Sequence, residues 1–209
     1  VCPICGGATA INKDNESEVL ICTNPNCSGK MLAKFVHFVS RKCMNIDGLS
    51  EATLEFLINK GWLHSFKDIY YLSAHETEWK KCDGFGEKSV DKLLASIEKS
   101  RNVRLENFIA ALGIDGIGLS AARIISAYCK GDWMKFLDLF GSNFDWTTLN
   151  DFGTVMAKNL DDWLIKNYAK VIVLADEMNF IAPEESSDSS LADLTFCITG
   201  SFSQSRDSL

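Results

Sequence analysis

No run of eighteen consecutive apolar residues occurs anywhere in the 209-residue chain, so no membrane-spanning helix is expected. Nor is a secretory leader expected, since no charged start, apolar core and small-residue cleavage site occur in sequence. The chain opens on Val1 rather than methionine, one residue ahead of a candidate metal ligand, and is expected to be a piece of a longer protein. Basic charge is not in excess either. The net charge is −7, which on its face argues against a nucleic-acid partner. The distribution changes that reading. From Ser28 to Arg104, 13 Lys and Arg stand against 10 Asp and Glu, whereas from Ala111 to Leu209 the figures are 7 and 14. The acid excess therefore sits in the C-terminal half, and the middle of the chain can present a basic face. A hydrophobic content of 46% supports a buried core, and the length suits one large or two small domains.

Four of the eight cysteines are grouped. Cys2 and Cys5 form a C-x2-C pair in "VCPICGG", and Cys22 and Cys27 form a C-x4-C pair in "ICTNPNCSG". Two close pairs joined by a short hairpin have the spacing of a four-thiolate structural zinc site, because each tight bend delivers two sulfurs to one tetrahedral ion. Pro3, Gly6, Gly7, Pro25, Asn26 and Gly29 supply the turn chemistry such bends need. Two disulfides are the alternative. The other cysteines, Cys43, Cys82, Cys129 and Cys197, are scattered singly and are expected to be reduced thiols, as in a cytoplasmic protein. With all four coordination positions filled by sulfur, the ion leaves no room for a reactive water.

The remainder is expected to be mostly α. Apolar residues recur at helical spacing from Met31 to about Asn179, for example in "SVDKLLASIEKS" and "SAARIISAYCK". The predicted organisation is a four-cysteine zinc finger with a β-hairpin over 1–28, a helical domain over 29–181, a flexible acidic linker over 182–192, and a β-rich run, "LTFCITGSF", within 193–209.

The helical region repeats. An apolar-x-Gly-apolar-Gly motif followed by a helix appears as "IDGLS" at 46–50, "CDGFG" at 82–86, "IDGIG" at 114–118 and "LNDFG" at 149–153. The third positions, Gly48, Gly84, Gly116 and Asp151, are 36, 32 and 35 residues apart. A near-constant period points to a repeated supersecondary unit, here four helix-hairpin-helix motifs. Both glycines are expected where the backbone turns sharply with positive φ; lacking Cβ, they let main-chain N–H groups approach another surface closely, and the next helix aims its N-terminus at the same place. That arrangement suits a phosphate oxygen, and phosphate contacts do not read sequence. The candidate DNA-binding residues are Gly48, Ser50, Gly84, Gly86, Lys88, Gly116, Gly118, Ser120, Arg123, Gly153 and Lys158. Phe85 and Ile117, between the glycines, are expected to plug inward. The bland alternative is four αα-hairpins with glycine in purely structural roles. Ser50 replaces the second glycine of the first copy, and Asp151 replaces the first glycine of the fourth. A carboxylate there disfavours phosphate, so the fourth copy is expected to bind weakly or to serve packing.

In this order of motifs the chain resembles the bacterial NAD⁺-dependent DNA ligases. The resemblance runs through the four-cysteine finger, "HFVSRKCMNIDGL" (37–49), "GFGEKSVDKLLASIEKSR" (84–101), "LENFIAALGIDGIG" (105–118), the acidic linker and "FCITGSF", the last being similar to the first strand of a BRCT domain. It covers essentially the whole chain. It implies a zinc unit joining an upstream OB domain to a helix-hairpin-helix domain that holds duplex DNA around a nick. In that family a lysine takes AMP from NAD⁺ and passes it to the 5′-phosphate. The 3′-hydroxyl then displaces AMP with Mg²⁺ present, in replication and repair. The adenylation and OB domains precede this region in the family, so the resemblance implies no catalytic residue here. NAD⁺ and Mg²⁺ act only in the parent enzyme, a bacterial protein of the cytoplasm and nucleoid, and the fragment is expected to be monomeric. Lys81-Cys82-Asp83-Gly84 matches the family's K-x-D-G nucleophile pattern, but it falls between helical segments with no strand framework for a nucleotide pocket. The alternatives are a non-catalytic helix-hairpin-helix module of another DNA repair protein, or a protein-interaction scaffold.

Overall fold

The computed structural model describes residues 1–14 and 17–182. The expected 193–209 strand, Cys197 and the 183–192 part of the expected linker lie outside the described residues. The chain begins with an antiparallel ribbon of β1 (Thr9–Asp14) and β2 (Ser17–Cys22), in register from Thr9↔Cys22 to Asp14↔Ser17. Eight α-helices follow among the described residues: α1 (Ser28–Val39), α2 (Glu51–Asn59), α3 (Glu76–Trp79), α4 (Glu87–Ser100), α5 (Leu105–Ala111), α6 (Leu119–Cys129), α7 (Trp133–Gly141) and α8 (Thr154–Ala175). The fold is thus mostly helical with a small sheet beside it. None of these helices is long and apolar enough to cross a membrane.

Local chemistry sets the helix starts. Ser50 caps α2 by accepting from the Thr53 N–H, and Asp132 caps α7 by accepting from the N–H groups of Met134 and Lys135. Helix α4 buries Val90, Leu93 and Ile97, the i, i+3, i+7 stripe of an amphipathic helix. The core runs through Phe35, Phe38, Trp79, Phe108, Phe136 and Trp146, all essentially without solvent contact.

Two features depart from the all-helical reading of 31–179. Phe66–His75 is a 3-10 helix, started by a capping box in which Asp68 accepts from the Ser65 N–H and Ser65 returns the bond. A second sheet also forms: β3 (Asn102–Arg104) pairs in parallel with β4 (Asn179–Ile181). It fastens the end of the helical body to its middle.

A polar latch lies beside that sheet. The Glu177 carboxylate accepts from the Tyr71 hydroxyl at 2.6 Å and from the Arg101 guanidinium at 2.7 Å, with Lys67 at 3.6 Å. Arg101 also donates to the Tyr70 carbonyl at 3.0 Å. The Tyr71 hydrogen bond, followed by that of Arg101, holds the Glu177 carboxyl below its ordinary range. A carboxylate with a depressed folded-state pKa stabilises the fold above its unfolded value, about 4.3, and that contribution is lost as pH falls through the folded value. Glu177→Gln is therefore expected to lower stability at neutral pH by about 1–2 kcal/mol. The gap between the melting temperatures of wild type and variant should close below about pH 4. A gap independent of pH would assign the loss to packing instead.

Candidate functional site

The ribbon and the turns around it bring Cys2, Cys5, Cys22 and Cys27 together. Their four sulfurs lie within 4.8 Å of one another, with Cys2–Cys27 at 3.9 Å and Cys5–Cys22 at 3.6 Å. Sulfurs at about 2.3 Å from a tetrahedral ion sit ~3.8 Å apart, so the cage fits such an ion, and none of the four is in a disulfide. The turn holding Cys2 and Cys5 closes through Cys2 N–H to Gly7 O (2.8 Å) and Gly6 N–H to Cys2 O (2.9 Å), with Gly6 at φ +67°. The Gly7 N–H and the Asn24 side-chain amide both point at the Cys5 sulfur and bring its pKa down to about 6, favouring the thiolate that a metal needs. Burial pushes Cys22 the other way, to about 11. Cys43 and Cys129 are buried and Cys82 half-buried, all three as free thiols.

The four repeated turns share one backbone shape. Their third residues are all left-handed: Gly48 at φ +89°, Gly84 at +85°, Gly116 at +77° and Asp151 at +59°. Asp151 therefore takes up the glycine's conformation, which Asp tolerates better than most residues. The fourth-position amide donates back to the first-position carbonyl in three of them, Phe85 to Cys82, Ile117 to Ile114 and Phe152 to Leu149. The fifth residue is the N-cap of the next helix each time: Ser50 for α2, Gly86 for α4, Gly118 for α6 and Gly153 for α8. Leu49, Ile117 and Phe152 are buried, and Phe85 packs against Phe56 at 4.8 Å between ring centres.

The turns associate in pairs. A Cβ on Gly48 would come within 2.9 Å of Leu93 on α4, joining the first turn to the second unit. Gly116 faces Met156 and Asn159 on α8, and the Asn159 amide donates to Asp115 O at 3.1 Å, joining the third to the fourth. His37 bridges the halves by a 2.8 Å bond between its Nε2 and Ala110 O.

Gly86, Gly118 and Gly153 pose a separate question. Their φ values, −99°, −84° and −80°, suit any residue, and a Cβ at each would meet nothing within 4 Å. At an N-cap glycine outranks alanine, but Ser or Asp would do better still, capping the helix with a side-chain oxygen as Ser50 does. Among the described residues no close neighbour and no backbone angle requires glycine at these points. Lys88, Ser120 and Arg123 are exposed on the first turns beyond them. No ion pair engages Lys88 or Arg123 among the described residues, whereas Lys158 pairs with Asp162 on α8. Lys81 is exposed in the loop ahead of α4, away from any strand.

No family model matches the chain. Individual proteins do. Along its whole length the chain is similar to one region of DNA ligases. The DNA ligase of Ruminiclostridium cellulolyticum is 37% identical over 214 residues, which take in 100% of this chain and 32% of the relative. That of Lachnoclostridium phytofermentans is 40% identical over 204 residues, 96% of this chain and 31% of the relative. That of Campylobacter lari is 34% identical over 199 residues, 92% and 29% respectively. The chain spans about a third of the length of these ligases.

Proposed function

We propose that this chain is the duplex-gripping part of an NAD⁺-dependent DNA ligase, made of a zinc-stabilised finger and four helix-hairpin-helix motifs. The observation that carries the reading is the set of glycine N-caps at Gly86, Gly118 and Gly153, open on their outer side among the described residues and standing where Ser or Asp would cap the helix better. A glycine that the fold does not need, placed where helix amides point outward, suits the close approach of an external anion. Repetition at the four turns suits the regular phosphates of a nucleic-acid backbone. Relatives named DNA ligase support DNA as that partner, and in this reading it is a duplex, nicked in the parent's reaction.

The hairpins differ in charge. Helices α2 and α4 carry Glu51 and Glu87 in their first turns, while α6 and α8 carry no acid there. A carboxylate in the first turn already occupies the positive end of the helix dipole. The third hairpin, with Ser120 and an unpaired Arg123, is the strongest grip in this reading. The fourth has an acid-free first turn but sets Asp151 at its tip. The four sulfurs close the zinc ion completely, so zinc acts structurally. No catalytic group is assigned to this chain. The adenylated lysine, NAD⁺ and Mg²⁺ belong to the rest of the parent enzyme, and Lys81 is a chance match to the nucleophile pattern.

Fluorescence anisotropy over a salt series tests the proposal, using nicked duplex, intact duplex and single-stranded DNA. The expected result is duplex binding indifferent to sequence and falling steeply with salt, with the nicked duplex at least as strong as the intact one. No duplex binding at low salt, by this chain or by the full-length parent carrying it, would overturn the reading.

A further inference from the structure

A groove of about 700 Å³ opens where the four-cysteine unit meets the helical body. Its walls come from the Pro25–Cys27 turn, the first half of α1, the start of the 3-10 helix and the C-terminal half of α8. Four lysines line it, Lys30, Lys34, Lys67 and Lys170, and half-buried Phe66 and Trp163 contribute aromatic surface. Lys67 is shared with Glu177, but Lys30, Lys34 and Lys170 have no ion-pair partner among the described residues. The local sequence is unusual for a chain of net charge −7. Between Glu18 and Asp47 it contains Lys30, Lys34, Arg41 and Lys42 and no acid at all.

The groove is not the hairpin face. Helix α8 leaves the fourth turn at Gly153, and its groove-lining residues run from Trp163 to Leu174. At 1.5 Å per residue that is ~15–30 Å along the helix from the turn. The chemistry differs as well. The turns offer backbone amides, and their one half-buried ring, Phe85, packs on Phe56 and Trp79, whereas the groove combines several lysine ammonium groups with aromatic surface. Cations tracking phosphates beside rings on which bases stack are the two parts of a single-strand site. Paired bases are stacked inside a duplex and present no free face to such rings.

We propose that this groove binds an unpaired nucleic-acid strand, phosphates on Lys30, Lys34 and Lys170 and a base against Trp163. This rests on the reading of the chain as a DNA-gripping unit and adds to it a second site for a strand leaving the duplex. Charge complementarity fixes the class of occupant, and the aromatic surface favours nucleic acid over an acidic peptide.

The test uses the whole chain, a short fluorescent oligothymidylate and a blunt duplex, with Lys30→Gln/Lys34→Gln and Gly118→Val as variants whose helix content is checked by circular dichroism. The double lysine variant is expected to weaken oligothymidylate binding about tenfold. It should also lower the slope of log affinity against log salt by about 1.4, the value for two single-strand phosphate contacts. Its duplex binding should hold. Gly118→Val is expected to do the reverse. Oligothymidylate should quench part of the tryptophan emission, and Trp163→Phe should remove that quench. The inference fails if oligothymidylate does not bind at low salt, or if the lysine variant leaves its affinity unchanged. It fails equally if duplex and single strand weaken together, or if a polyglutamate peptide displaces the oligonucleotide at equal charge concentration. Failure of duplex binding alone, with single-strand binding intact, would count against the ligase reading and not against the groove.

Discussion

Cys22→Ser is expected to lose the metal ion and to unfold residues 1–27, leaving the helical body folded. The reason lies in what the N-terminal unit lacks. Its ribbon has no core of its own: Ile11, Val19, Leu20 and Ile21 are 58%, 55%, 65% and 41% exposed. Among its described residues the buried ones are Cys2 and Cys27, two of the candidate ligands themselves. A segment this short cannot offset its ordering entropy by burial and needs a metal or disulfides as its centre. Structural zinc supplies roughly 10–16 kcal/mol of apparent binding free energy in finger peptides, so losing one of four ligands removes most of what orders the ribbon. Stripping the metal from the wild type with a chelator should have the same effect. Metal content per chain and amide exchange in 1–27 check both. One ion retained per chain in the variant, or protected ribbon amides after chelation, would reject the four-sulfur site. The helical body should keep its own melting transition, because its core from Phe35 to Met178 draws nothing from the ribbon.

Much of the site was legible in the sequence because its chemistry is local. Cysteine spacing placed four sulfurs on one ion-sized cage. Glycine at the third motif position marked the left-handed turns, and Asp151 keeps that backbone shape, but positive φ at the second glycine was wrong, because Gly86, Gly118 and Gly153 are N-caps with extended backbone. The inward plug at Ile117 followed from an apolar residue flanked by glycines. What escaped depends on residues far apart in the chain. The β3–β4 pair joins three residues to three others 77 positions away, with no periodicity long enough to signal a strand. The pairing of turns depends on Leu93, Met156 and Asn159, none of them in the motif. The Arg101–Glu177 latch and the lysine groove are likewise assembled from separate helices. The glycines themselves look alike in sequence, yet Gly48 and Gly116 face other parts of the protein and Gly86 and Gly118 face outward.

That division yields the sharpest test of the hairpins. Gly118→Val should leave helix content nearly unchanged, cost no more than about 1 kcal/mol through a poorer N-cap, and weaken duplex binding at least about tenfold. In the folded chain the valine meets ordinary φ and open space. Its two methyl groups would then occupy the volume through which, in the proposed grip, a phosphate oxygen reaches the amides of α6, and a contact held off by even part of an ångström forfeits both hydrogen bond and charge–dipole attraction. Gly48→Val should behave in the opposite order. Its φ of +89° is closed to a β-branched residue, and its Cβ would meet Leu93 at 2.9 Å. That substitution should cost stability first, by about 1–3 kcal/mol, and change DNA binding in proportion to the fold lost. Thermal melts and anisotropy on the two variants separate the cases. If Gly118→Val binds duplex as the wild type does, the open glycines have no phosphate role. If both variants lose stability alike, the outward glycines are structural after all.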